Sequence, residues 1–418
     1  MVAWHLESAC NATCYFSSQR QLVQMTTIKT QGPKVLVLSV VAACMLLACH
    51  SRALALNPAL EITQYAHTSW TARDGYSLGA VFAMAQTPDG YLWLGGEFGL
   101  FRFDGVRFMR WQPPAGQQLP DKPYSLLVTR DGTLWIGTYA GLVTWSGGKL
   151  IRYPELDGLR VTSLLEDREG TVWAGLLDGS FGTHAGQLCA MRNGSTQCYG
   201  QDGAFGSFVW GLHEDSSGTL WAGAESGLWR WKPGPPRRYA TPGMQISGLS
   251  KSYDGRVLIA MLRAGLKQVV GDKLETYPIR DAIHPNRLLG DRNVNSNKLL
   301  WDRDGGLWIG TRDRGLIHVH EGQTDLFAKS DGLSDDSICS LFEDREGDVW
   351  VATTGGLDRF RDVPVTTISP PAAPPSGPRS IIQSADLMMS RLCSITTSDP
   401  PPSINFRNDI SSLLTSSK

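Results

Sequence analysis

One short phrase recurs seven times between Pro88 and Leu357. It is a turn ending in Gly, then two apolar residues that usually end in Trp, then a small residue and a Gly-Leu pair. The copies include Asp89-Gly90-Tyr91-Leu92-Trp93, Asp131-Gly132-Thr133-Leu134-Trp135 and Glu346-Gly347-Asp348-Val349-Trp350. The turn glycines are 42, 38, 48, 37, 50 and 42 residues apart. A period near forty built from strand-like pieces cannot fold as isolated units, because each unit needs a neighbour to cover its apolar face. It predicts a repeat array of small sheets. Six of the 14 Trp occupy the repeat position, so they read as core.

The second copy shows what one unit contains. Residues 134–137, 142–145 and 149–153 read as consecutive strands with Gly turns between them, following a first strand before the Asp131-Gly132 turn. Four short antiparallel strands every forty residues make a β-propeller blade. In the third copy, residues 161–166 and 171–175 are the first two strands, and Gly179-Ser180-Phe181 reads as opening the third.

Residues 65–71 followed by Arg73-Asp74-Gly75 match residues 325–329 followed by Ser330-Asp331-Gly332. Both read as a fourth strand running into the next blade. The amino-terminal strand therefore belongs to the last blade, where it covers an otherwise bare sheet edge. The expected fold is all-β, a seven-bladed β-propeller of four-stranded antiparallel blades over residues 56–368, closed by that strand. Residues 361–368 also read as a fourth strand, which leaves one candidate too many. Residues 369–418 are rich in Pro, Ser and Thr, lack the phrase and read as a disordered tail.

Residues 1–55 read as an export signal with an extension. Lys29 and Lys34 precede a 14-residue apolar run at 35–48, shorter than the roughly 20 residues that span a bilayer. Ala53-Leu54-Ala55 offers cleavage before Leu56; Leu46-Leu47-Ala48-Cys49 offers a lipoprotein site instead, and Met25 an alternative start. A periplasmic location follows. Cys189 and Cys198 flank Asn193-Gly194. A two-residue hairpin turn there places them opposite each other at a non-hydrogen-bonded position, within reach of a disulfide. Two free thiols are the alternative, and an oxidising compartment favours the bridge. Cys339 reads as buried in a strand.

Charge excludes some partners. With 39 basic and 40 acidic residues and no long single-sign run, nucleic acid is not expected to bind. No nucleophile motif, phosphate loop or metal spacing is present, so neither catalysis nor a cofactor is expected. His318 and His320 share one face of a strand but make no full metal site. Asp302-Arg303-Asp304-Gly305 lacks the later Glu of a calcium loop and reads as a capped turn.

The phrase Gly332-Leu333-Ser334-Asp335-Asp336-Ser337-Ile338, continued by Leu341-Phe342-Glu343-Asp344-Arg345-Glu346-Gly347-Asp348-Val349-Trp350, resembles the two-component regulator propeller repeat. Trp70-Thr71-Ala72-Arg73-Asp74-Gly75 resembles the start of the first blade in such proteins. The resemblance implies the periplasmic sensor region of a bacterial histidine kinase, truncated after its first propeller and without kinase or membrane output parts. Similar repeats also build streptogramin-inactivating lyases, which makes a propeller lyase or hydrolase the alternative. A protein-docking scaffold is the second alternative.

Alternating strands put the acidic turns on one face of the ring. The second-to-third loops and the blade-crossing loops fall on the other, less repetitive face. Its candidate ligand-binding residues are Glu97, Tyr139, Asp178, Glu225, Arg263 and Arg312 in the former loops, and Tyr76, Tyr124, Arg160 and Arg292 in the latter. Aromatic rings, Arg and carboxylates around a central depression suit a polar small molecule such as an oligosaccharide. A homodimer or a signalling partner protein is the expected macromolecular partner.

Overall fold

A computed structural model describes Leu56 and residues 60–178, 186–241, 245–251, 255, 257–262, 264–277 and 296–362. Seven four-stranded antiparallel sheets follow one another along the chain. The first strands are Val81–Gln86, Pro123–Val128, Leu159–Glu166, Val209–Glu214, Ile246–Lys251, Ser296–Trp301 and Ile338–Glu343. Each packs beside the first strands of both neighbouring blades, and the seventh meets the first, so the ring is closed around an axis lined by first strands.

Closure uses the amino-terminal strand. Ala66–Thr71 pairs antiparallel with Gly356–Arg361, the third strand of blade seven, from Ala66 opposite Arg361 to Thr71 opposite Gly356. The same short turn then leads into the next blade at both expected places. Thr71 N–H donates to Asp74 Oδ2 and Ala328 N–H to Asp331 Oδ2, ahead of left-handed Gly75 and Gly332. Arg361 thus ends a third strand rather than opening a fourth, because Ala66 already occupies its free edge. Residues 363–368 lie outside the described residues, as do the tail and, apart from Leu56, everything before residue 60.

Blade three corrects one expectation. Its second strand runs on to Asp178, paired with Leu159, and its third strand begins at Leu188 rather than at 179–181, which lie outside the described residues. The third and fourth strands are Leu188–Arg192 and Ser195–Tyr199, joined by Asn193-Gly194 with both residues at positive φ. Cys189 faces Cys198 there, with Cα atoms 4.0 Å apart and the sulfurs bonded. A cross-link between residues nine apart restricts the unfolded chain by about 2–3 kcal/mol. The double Cys189→Ala, Cys198→Ala variant is expected to lose that much in urea unfolding under oxidising conditions. An unchanged midpoint would show that the bridge is idle.

The repeated phrase has a physical reason at each position. In blade four the Asp215 carboxylate accepts the backbone N–H of Ser217 (2.9 Å) and Thr219 (3.0 Å), and the Trp221 indole N–H at 2.8 Å. Asp167 with Trp173, Asp302 with Trp308 and Asp344 with Trp350 repeat the indole bond. In blade one, the Thr87 hydroxyl replaces the carboxylate beside Trp93. The acidic turns are therefore caps that also hold the indole inside the sheet stack. The small residue two positions after the Trp makes room for the next blade. A methyl group added at Gly310 would lie 2.6 Å from the Ile338 side chain, and one at Gly223 2.7 Å from Ile246.

The same turns tie neighbouring blades together. Arg130 reaches the Asp167 and Arg168 carbonyls of blade three, and Arg168 the Asp215 and Ser216 carbonyls of blade four. Arg303 reaches blade seven at the Asp344 and Arg345 carbonyls, and Arg345 reaches the Pro88 carbonyl of blade one. The turn face is thus occupied with holding the ring together.

Candidate functional site

All seven first strands carry a bulge at the same place. Pairing with the second strand skips one residue: Phe82, Tyr124, Thr162, Trp210, Ser247, Asn297 and Cys339. A bulge leaves one residue out of the ladder and re-aims its side chain. Because the first strands surround the axis, the skipped residues with described side chains converge on it. Six of them, together with Lys298 and Arg312, line a cavity of about 180 Å³. The side chain of Asn297 lies outside the description.

The lining is unequal around the ring. Blades one, two and four supply rings: Phe82 and Tyr124 have centroids 5.5 Å apart, and Tyr124 and Trp210 6.1 Å. Tyr139 packs edge-on against Tyr124 at 5.2 Å, and the Arg160 guanidinium sits 4.1 Å over the Tyr139 ring. Blade six supplies cations instead. Burial pushes the Lys298 amine below its ordinary value; Cys339 opposes this and Arg312 adds to it. Among the described residues neither Lys298 nor Arg312 has an ion-pair partner. Burial raises the Cys339 thiol against the pull of Lys298, and raises the Tyr124 phenol against Arg160 and Arg312. Thr162 is already committed, its hydroxyl donating to the carbonyl of Gly175 at 2.7 Å and to that of Val209. The cavity therefore offers aromatic faces on one side and positive charge on the other.

Of the residues singled out in the sequence, Tyr124 and Arg312 line this cavity, and Tyr139 and Arg160 stand behind Tyr124. Tyr76 lies elsewhere. It is buried in the core between blades one and seven, stacked edge-on against Phe108, and its hydroxyl donates to the Gly79 carbonyl at 2.7 Å. Glu97 is exposed in a cleft between blades one and two, beside Phe98, Arg110 and Asp121. Glu225 accepts the Ser207 backbone N–H at 2.6 Å and braces its own loop. Asp178 ends a strand, and its side chain lies outside the description, as do Arg263 and Arg292 entirely. Sequence reasoning passed over Phe82, Trp210, Lys298 and the outlook of Cys339, which is half-buried on the axis. The available signal was positional, since each skipped residue is the fifth from the end of its strand.

The family model of the two component regulator propeller matches residues 118–140, 289–313 and 332–355. No curated protein matches the chain in sequence. Among solved structures it is similar to the extracellular domains of two Bacteroides signalling proteins. One is the hybrid two component system BT3049 from B. thetaiotaomicron, at 19% identity and TM-score 0.55, covering 71% of this chain and 42% of that one. The other is the one component system BT4673 from the same organism, at 18% identity and TM-score 0.56, covering 71% and 40%. This chain thus spans about two fifths of the length of those domains. Virginiamycin B lyase from Staphylococcus aureus shares the fold at 11% identity and TM-score 0.55, covering 72% of this chain and all of the lyase. No helix among the described residues is long and apolar enough to cross a membrane. Three of the chain's repeats thus match the two component regulator propeller model.

Proposed function

We propose that this ring is an exported ligand-binding sensor module that holds a small polar molecule in its axial cavity and passes the signal to a partner protein. The reading rests on one observation: the first strands of all seven blades bulge at one position, and six different skipped residues line the axial cavity of an otherwise uniform scaffold. Uniform packing would be served by uniform residues, whereas Phe82, Tyr124, Trp210 and Cys339 differ in size and chemistry. Variable side chains on a rigid frame are where recognition is built. Ring faces suit the apolar face of a sugar, and the cations of blade six suit a carboxylate. An oligosaccharide bearing uronate groups satisfies both sides.

Isothermal titration of the oxidised protein with neutral gluco-oligosaccharides and with galacturonate oligosaccharides tests this. The uronates are expected to bind, and Tyr124→Ala to weaken them by about 2 kcal/mol, or roughly 30-fold. Absence of heat with both sets, or an unchanged affinity in Tyr124→Ala, would remove the axial cavity as the sensory site. A lyase would need a base at the same place, and within the described lining Lys298 is the only amine of lowered basicity. Unsaturated product from the uronates, abolished by Lys298→Met, would favour that second reading.

A further inference from the structure

A second cluster lies away from the axis, beneath the segment that closes the ring. His318 and His320 are on the third strand of blade six, Leu316–His320, and Asp325 is on the fourth, Gln323–Phe327. Residues two apart on a strand share a face, and the two imidazoles stack with centroids 4.7 Å apart and planes 13° apart. One donor atom from each of His318, His320 and Asp325 lies within 4.8 Å of the other two.

One further observation points to a cation. His318 is 1% exposed, and its Nδ1 has no hydrogen-bond partner among the described residues. A buried polar atom without a partner needs an explanation, and an ion is one. The Tyr65 ring meets His318 edge-on at 5.8 Å.

We propose that His318, His320 and Asp325 bind a zinc-class divalent cation. Two imidazoles and one carboxylate are the donor set that suits zinc, with a fourth position left for water, whereas calcium and magnesium take oxygen shells. Asp325 already holds His320 Nε2 at 2.8 Å and accepts the Ile62 backbone N–H at 3.1 Å. A cation here links two strands of blade six to the amino-terminal segment, whose Leu56 N–H also reaches Asp304 at 2.8 Å. The ion would act on ring closure, independently of any ligand on the axis.

The test uses the full chain stripped with chelator and titrated with Zn²⁺ by calorimetry and with Co²⁺ by visible absorption. One ion per chain is expected, together with the intense band of four-coordinate cobalt and a higher unfolding temperature. His320→Gln and Asp325→Asn are each expected to weaken binding by at least the roughly 10–100-fold that loss of an outer-sphere partner costs. Asp325→Asn keeps an acceptor for Ile62, so its fold can be checked by circular dichroism without metal. The site is overturned if the wild type binds neither ion, or if both variants bind as the wild type does. Should the variants fail to fold, zinc-edge absorption of the wild type decides. Two imidazole ligands uphold the site, and a shell of oxygens alone overturns it.

Discussion

A chain beginning at Gly75 is expected to lose the soluble ring altogether. Removal of Ala66–Thr71 leaves Gly356–Arg361 as a bare edge six residues long, and such an edge recruits other chains. More than a ladder is lost. Trp70 stacks on Trp350 at 5.6 Å and meets Phe103 at 5.2 Å, so its removal opens the seam between blades seven and one. His67 Nε2 pairs with Asp358 Oδ1 at 2.9 Å, and Asp358 is fully buried. Without His67, Asp358 keeps the backbone N–H and the hydroxyl of Ser334. A buried carboxylate stripped of a partner costs several kcal/mol, against a typical domain stability of about 5–15 kcal/mol. Size-exclusion chromatography is expected to show aggregate where the longer chain gives a monomer or dimer. A truncated chain that stays soluble and unfolds at the same urea concentration would mean that the strand only decorates blade seven.

Trp308→Ala is expected to be the most damaging single substitution in the repeats. The side chain is completely buried and touches Tyr65, His318 and Phe360. Truncating a buried Trp costs about 3–5 kcal/mol through lost transfer energy and the cavity left behind. The Asp302 carboxylate, itself 2% exposed, also loses the indole N–H at 2.7 Å. It keeps the backbone N–H of Asp304 and Gly306, which limits the added penalty. Trp308→Phe separates the two contributions, because it keeps most of the volume and removes only the donor. It is expected to cost about 1–2 kcal/mol. Equal losses for Ala and Phe in denaturant unfolding would show that the hydrogen bond, not the packing, holds this position.

The frame was legible because its rules are local and repeated. Asp, Gly, Trp and Gly recur at fixed offsets, and each has one job: cap, turn, filler or gap. The closing strand was legible for the same reason, since Arg73-Asp74-Gly75 copies Ser330-Asp331-Gly332. The Cys189–Cys198 register followed from Asn193-Gly194 alone. The axis was less legible. A bulge shifts which side of a strand a residue faces, and nothing in Phe82 or Trp210 announces one until the seven strands are aligned. Tyr76 shows the opposite failure. It sits in a crossing segment, as Tyr124 nearly does, but the chain turns at Gly79 and folds the ring inward. Asp325 was invisible beside His318 and His320 because it comes from the neighbouring strand, across the turn at Glu321-Gly322.

The guanidinium tethers of Arg130, Arg168, Arg303 and Arg345 give the molecule two faces with different tolerance for change. Each arginine grips main-chain carbonyls of the following blade, and Arg130, Arg168 and Arg303 also pair with Glu166, Glu214 and Glu343 there. The rim they form behaves as a hoop that fixes spacing without constraining the opposite rim. Loops there, such as the one through Tyr139, can be exchanged or lengthened with the circumference unchanged. One scaffold of this kind could accept many specificities by substitution at a single rim.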